Sequence, residues 1–98
     1  MRYFLIIHPD VYEDLSEAID YYKQKQEGLE EKLVNDWRGA LELVEKHPFS
    51  FQKAYKGFRR LSLVTFPYMV IYEVENSEVH IYRLIYSGKE PIKRYKKR

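Results

Sequence analysis

Residues 47–91, HPFSFQKAYKGFRRLSLVTFPYMVIYEVENSEVHIYRLIYSGKEP, decide how this chain is organised. Leu61 and Leu63 alternate with Arg60, Ser62 and Val64, and Val70, Tyr72 and Val74 alternate with Met69, Ile71 and Glu73. Val79, Ile81, Arg83 and Ile85 continue the same period of two, which is the side-chain period of a strand. Phe66-Pro67-Tyr68 joins the first two strands, and Asn76-Ser77 reads as a tight turn into the third. That third strand runs out in Ser87-Gly88-Lys89-Glu90-Pro91. The stretch is therefore expected to form a three-stranded antiparallel meander, with room for a short extra strand near residues 53–55.

Upstream of Pro48 the period is different. Tyr3-Phe4-Leu5-Ile6-Ile7 is a short apolar, aromatic and β-branched run, which predicts a strand buried on both faces. Pro9 suits the first turn of a helix, and Asp10, Glu13 and Asp14 favour its positive end. Val11, Leu15, Ala18 or Ile19, and Tyr22 then recur at steps of four and three, one face of a helix ending near Gln26 with Gly28 as its C-terminal cap. A second helix carries Glu30 and Glu31 in its first turn and Leu33, Trp37, Leu41 and Val44 as its apolar stripe; Pro48 stops it. So short a link makes the two helices an antiparallel αα-hairpin. The expected fold class is α+β: an N-terminal strand, the αα-hairpin, then the meander, with the helices packed on one face of a twisted sheet. Residues 1–98 are read as a single domain. Its core should draw on Leu15, Ile19, Tyr22, Leu33, Trp37, Leu41, Val70, Tyr72 and Ile81.

The charge is divided in the same way as the pattern. Residues 1–52 hold 6 Lys/Arg against 11 Asp/Glu, a formal −5, whereas residues 53–98 hold 11 against 4, a formal +7. A basic sheet beside an acidic helical half points to a sheet side that meets a polyanion or an acidic partner. With 98 residues, 45% of them hydrophobic, the chain has enough for one compact core. There is no Cys, so disulfide frameworks and thiolate zinc sites are excluded. The opening apolar run is too short for a signal peptide and no run nears the ~20 residues of a membrane span, so a soluble, cytoplasmic protein with no membrane partner is expected.

Several local motifs occur together and in order. They are Asp14-Leu15 and Tyr21-Tyr22 in the first helix, Gly28-Leu29 between helices, and His47-Pro48-Phe49 after the second. Tyr55-Lys56-Gly57-Phe58-Arg59-Arg60 then opens the first meander strand, and Phe66-Pro67-Tyr68 with Ile71-Tyr72 forms the hairpin. In these features, over nearly its full length, the chain resembles the RelE/ParE superfamily of toxins from bacterial type II toxin–antitoxin modules. The resemblance implies a growth-inhibiting toxin neutralised by a cognate antitoxin, with no cofactor. It also implies one of two targets: DNA gyrase, blocked by ParE-like toxins, or mRNA on the translating ribosome, cut by RelE-like ones.

RNA cleavage by 2′-hydroxyl attack needs a base, cations for the phosphate oxygens and an acid for the leaving oxygen. Arg60, Lys89 and Tyr95 match the basic and aromatic positions of RelE-like nucleases and would form the catalytic centre on that reading. Met69 and Ser62, however, stand where the nuclease pattern has cations. Tyr86, Lys89 and Pro91 stand where many relatives have His, Arg and Pro. Tyr titrates near ~10 and His near ~6.5, so a neutral-pH proton acceptor is lost at Tyr86. At Lys89 the charge is kept without the bidentate fork of Arg. Residue content therefore favours a ParE-like gyrase inhibitor, with a ribosome-dependent endoribonuclease, or a degenerate non-toxic binding module, as alternatives.

Lys56, Arg59, Arg60, Tyr86 and Lys89 are the candidate antitoxin- or target-binding residues. Arg59 and Arg60 are adjacent on a strand, so they point to opposite faces and only one can join a given patch. An exposed Arg on a small basic domain is most often simply solvated, and Tyr95 serves equally well to pin the tail to the sheet. Trp37 is read as core. His8, His47 and His80 are scattered over three elements and no pair has metal-ligand spacing on one element, so no metal is implied.

Overall fold

The computed structural model describes residues 3–87. Strand β1 (Phe4–Ile7) leads into helices α1 (Pro9–Lys25) and α2 (Leu29–Lys46). Strands β2 (Gln52–Lys53), β3 (Arg59–Ser62), β4 (Tyr68–Glu75) and β5 (Glu78–Tyr86) follow. The strands form one five-stranded sheet in the order β1-β5-β4-β3-β2. The meander β3-β4-β5 is antiparallel throughout, as the two-residue period requires, and β2 is the short extra strand, a residue or two earlier than expected. β1 crosses the helical hairpin and returns to pair in parallel with β5, from Phe4 opposite Glu78 to Ile7 opposite Ile81. This makes β1 an edge strand. The expectation that it is buried on both faces is corrected: Tyr3, Leu5 and Ile7 pack on the core under the helices, while Phe4 points out and is 72% exposed.

Both helices begin and end where local chemistry says they should. Pro9 opens α1, where its missing N–H costs nothing. Gly28 has a different role from the one expected. The end of α1 is capped by Gln26, whose N–H donates to the Tyr22 carbonyl. Gly28 instead sits at φ +90° as the N-cap of α2, a left-handed conformation that disfavours a side chain. Its own N–H donates to Glu30 Oε1 at 3.1 Å, which ties down the first turn of α2.

The core lies between the helices and one sheet face. Val11, Ala18, Leu33, Trp37, Ala40 and Val44 from the helices meet Val70, Tyr72, Val79, Ile81 and Leu84 from the sheet. All nine core residues expected from the sequence belong to this cluster; Leu15, Ile19, Tyr22 and Leu41 sit at its rim. A second, smaller cluster of Phe58, Met69, Ile71 and Tyr82, with Ala54 and Ile85, lies on the other face.

A change of phase in β5 decides which of its last residues join each cluster. Tyr72 is opposite Ile81 but Ile71 is opposite Arg83, so Tyr82 is an extra residue, a β-bulge. Strict alternation would have kept Arg83 and Ile85 on the face of Val79 and Ile81. The bulge instead gives that face to Leu84, opposite Val70, and leaves Ile85 opposite Met69 in the second cluster.

Two polar joints hold the loops to this frame. Tyr72, fully buried, donates its hydroxyl to the Pro48 carbonyl at 2.6 Å and so anchors the segment after α2. Asp36, on α2, accepts the backbone N–H groups of Val64 (3.0 Å), Thr65 (2.8 Å) and Phe66 (3.0 Å). Three successive N–H groups converging on one carboxylate form a fixed anion nest, and it sets the shape of the β3–β4 turn. Asp36→Ala should therefore lower stability by about 1–3 kcal/mol, the cost of unmade bonds to a charged group. Urea unfolding of the two proteins measures it; an unchanged midpoint would show that the turn holds its shape unaided.

Candidate functional site

Where β1 stops pairing, α1 takes over the outer edge of β5. His8, at the junction, donates its N–H to the Ile81 carbonyl. One turn and a half further on, Asp14 Oδ2 accepts the Leu84 N–H at 3.0 Å, a backbone donor that no strand reaches. The same carboxylate takes Arg83 in a bidentate grip, Nε at 2.7 Å and Nη2 at 2.8 Å. The Asp14 side chain is 13% exposed and that of Arg83 29%, so the pair is shielded enough to matter. Beyond this joint α1 and β5 diverge.

The space between them is an open groove of about 590 Å³, lined by Asp14, Glu17, Ala18 and Tyr21 on the helix side and by Tyr68 and residues 83–86 on the sheet side. A second hollow of about 380 Å³ continues it past Tyr22 and Pro67 and shares Tyr21, Tyr68 and Tyr86. Its walls are tyrosine packed on tyrosine. Tyr22 stands edge-on to Tyr21 (5.0 Å between ring centres) and to Phe66 (4.8 Å), and Tyr68 edge-on to Tyr86 (5.6 Å). Tyr21 and Tyr86 remain about half exposed, at 52% and 45%. Burial, with the neighbouring hydroxyls of Tyr22, Tyr86 and Tyr21, pushes the Tyr68 phenol up to about 12, and burial raises Tyr22 as well. Such a surface offers flat apolar area with neutral hydroxyls at its edges, which suits protein contact.

The candidate residues named from the sequence are not gathered in one place. Arg60 lies opposite Ile71, on the sheet face away from the helices, and donates Nε and Nη2 to Gln52 Oε1 at 3.3 and 3.1 Å. Arg59 faces the other way, as strand geometry demands. Its Nη1 donates to the carbonyls of Phe49 (3.3 Å) and Phe51 (2.9 Å), and its guanidinium covers the Phe49 ring. Lys56 is in the β2–β3 loop at φ +50°, with Nζ above the Tyr55 ring. Tyr86, opposite Tyr68, belongs to the groove. Lys89 and Tyr95 lie outside the described residues.

The residues paired with Arg60 across the sheet, Gln52 and Ile71, are uncharged. The cross-strand pair beside it is Ser62 opposite Met69, and Met69 is buried. The positive surplus of residues 53–98 belongs mainly to their end: residues 88–98 carry six Lys/Arg against one Asp/Glu, residues 53–87 only five against three. Of those five, Arg59 and Arg83 are engaged with loop carbonyls and Asp14. The described sheet is thus not the basic platform that the charge count implied.

Comparison with known proteins agrees with this arrangement. Residues 5–91 match the family described as the ParE toxin of the type II toxin–antitoxin system parDE. The chain belongs to the ParE toxin family. A solved structure titled as the chromosomal ParDE toxin–antitoxin system from P. aeruginosa has the same fold, with a TM-score of 0.76 at 19% identity, covering 87% of this chain and 96% of that one. Among curated proteins none matches.

For this ParE-family toxin, sequence reading missed the Asp14–Arg83 joint and the groove it opens. In the sequence Asp14 reads as a charge favouring the helix start and as part of the Asp14-Leu15 motif, and Arg83 as one more position in an alternation. An acidic residue on a helix and an Arg inside an otherwise apolar strand were the available signals. The tyrosines supply a test of the geometry. Burial also pushes Tyr72 up to about 12, against a smaller opposing pull from Arg59. Between about pH 10 and about pH 12 the unfolded chain loses these protons while the folded chain keeps them, so stability is full below pH 10 and falls as pH rises. Urea midpoints should drop across that window, and Tyr68→Phe should make the drop shallower; equal slopes would mean that Tyr68 titrates as a free phenol.

Proposed function

We propose that this toxin acts by binding, as an inhibitor of DNA gyrase, and does not itself cut mRNA. The observation that carries the reading is that no second cation stands in the cross-strand pairs of Arg60 and Ser62. A nuclease must place several cations about one phosphate in the transition state, and the cross-strand neighbours of Arg60 are Ile71 and, one pair along, Ser62 and Met69. One arginine among uncharged side chains supports a contact better than a reaction centre. Membership of the ParE family and the likeness to a ParDE structure support the same choice.

On this reading the cognate antitoxin covers the tyrosine groove with an apolar and acidic segment that orders as it binds. Tyr86 is its aromatic anchor, and Lys56, Arg60 and Lys89 are charged contacts for antitoxin or target. Arg59 contributes less directly, by holding the segment after α2 in place. The site of action is the cytoplasm; no described helix is long and apolar enough to cross a membrane.

Two measurements test this in parallel: gyrase supercoiling with the purified chain, and mapping of new 5′ ends on translated messages in cells lacking the antitoxin. Supercoiling should be blocked and restored by antitoxin, with messages intact. New ends within codons, reduced roughly 10²–10³-fold by Arg60→Ala, would overturn the proposal in favour of a nuclease. Tyr86→Ala should weaken antitoxin binding by more than about 1 kcal/mol in calorimetry, as expected of a central aromatic anchor. Antitoxin affinity unchanged by that substitution would remove the groove from the interface.

A further inference from the structure

At the end of the sheet remote from the groove, the fold assembles side chains from the β1–α1 junction and both strands of the β4–β5 hairpin. Glu75 and Glu78 are directly opposite each other in the last pair before the Asn76-Ser77 turn. Two carboxylates in a cross-strand pair repel, and such a pair weakens a sheet unless something offsets its charge. Among the described residues no Lys or Arg pairs with either carboxylate, and the one ion-pair partner of both is His80. His80 Nε2 lies 3.0 Å from Glu78 Oε1 and 3.7 Å from Glu75 Oε1. Its other nitrogen, Nδ1, lies 3.0 Å from Nε2 of His8, 72 residues away in sequence.

We propose that Glu75, Glu78 and His80 bind a divalent transition-metal ion of the Zn²⁺ class, with His8 as the residue that orients the imidazole. The three donor atoms lie within 4.8 Å of one another. Bonds of about 2.0–2.2 Å to a tetrahedral ion require donors about 3.4 Å apart, which the two measured separations bracket. Carboxylate and imidazole donors suit this class of ion, and the exposed side of the cluster leaves room for water as a further ligand. For Nε2 to offer its lone pair, Nδ1 must hold the proton, and His8 Nε2 is placed to accept it. A metal-bound imidazole is usually steadied in this way through its second nitrogen. The His80 side chain is only 16% exposed and stacks on Tyr82, so little ordering remains to be done when an ion arrives. The ion would replace carboxylate repulsion by attraction at the turn end of the β4–β5 hairpin and link it through His8 to the start of α1.

The experiment titrates Zn²⁺ into the untagged full-length chain, freed of metal by chelator, and follows heat and thermal unfolding. The wild type should take up one equivalent and unfold at a higher temperature with it. His80→Gln should abolish both effects. His8→Ala should weaken binding roughly 10–100-fold, the range for an outer-shell partner. His47→Ala, at the far end of α2, should change nothing. If His80→Gln fails to fold, the double variant Glu75→Gln/Glu78→Gln, altered only at accessible side chains, gives the same reading. A wild type that takes up no Zn²⁺ would overturn the proposal and leave a proton shared by His80 and Glu78. Uptake unaffected by these variants would overturn it too.

Discussion

The bulge at Tyr82 is the constraint on which the rest of the molecule depends. β5 is the strand with most to satisfy, since it pairs with β1 on one side and β4 on the other while α1 covers its outer half. Its residues 79, 81 and 83–86 cannot all obey one alternation. Continued in phase, Arg83 would enter the helix-facing core, where a charge without a partner is costly, and Leu84 would face water. One extra residue moves Leu84 into the core, frees Arg83 to meet Asp14, and leaves Ile85 with Met69 in the second cluster. Core, groove wall and open face all follow from that single insertion.

The acidic residues of the helical half have structural roles that net charge conceals. Asp14 and Asp36 occupy polar positions on α1 and α2, where a solvated carboxylate would be the usual reading. Each instead accepts three hydrogen bonds from the sheet or its turns, and the bonds of Asp36 are all to backbone. The basic side does the reverse: Arg59 gives its bonds to loop carbonyls. Much of the apparent polarity between the halves is therefore neutralised internally. By sequence count, most of the positive surplus of the second half belongs to residues 88–98.

Element types and most of the core could be read from the residues, because periodicity reports burial directly. The change from a helical period to a period of two after Pro48 gave the αα-hairpin and the meander, and every residue of the expected core is in it. Three things were out of reach for physical reasons. The parallel return of β1 onto β5 is a long-range pairing with no local signature. The bulge replaces an alternation only slightly, since Ile85 and Leu84 are equally apolar neighbours. Gly28 caps a helix either way, and its sequence does not say which. At the site, the opposition of Arg59 and Arg60 followed from strand geometry alone, whereas the meeting of His8 with His80 required the whole topology.

These placements bear on how one scaffold can serve either as a nuclease or as a blocker. On the face of the second cluster, catalysis would depend on which side chains stand at residues 60, 62, 69 and 71. Here three of the four are uncharged. The scaffold offers instead a groove rich in tyrosines, among which burial raises Tyr68 and Tyr22, so that these two hydroxyls stay protonated donors. Such hydroxyls cannot take a proton from a ribose near neutrality, but they can fix the register of a bound peptide through hydrogen bonds while the rings supply contact area. The departure from His at Tyr86 fits the same logic. It puts a phenol in place of an imidazole, and its ring forms part of the groove wall. On the proposed reading, that one position serves binding in place of acid–base chemistry.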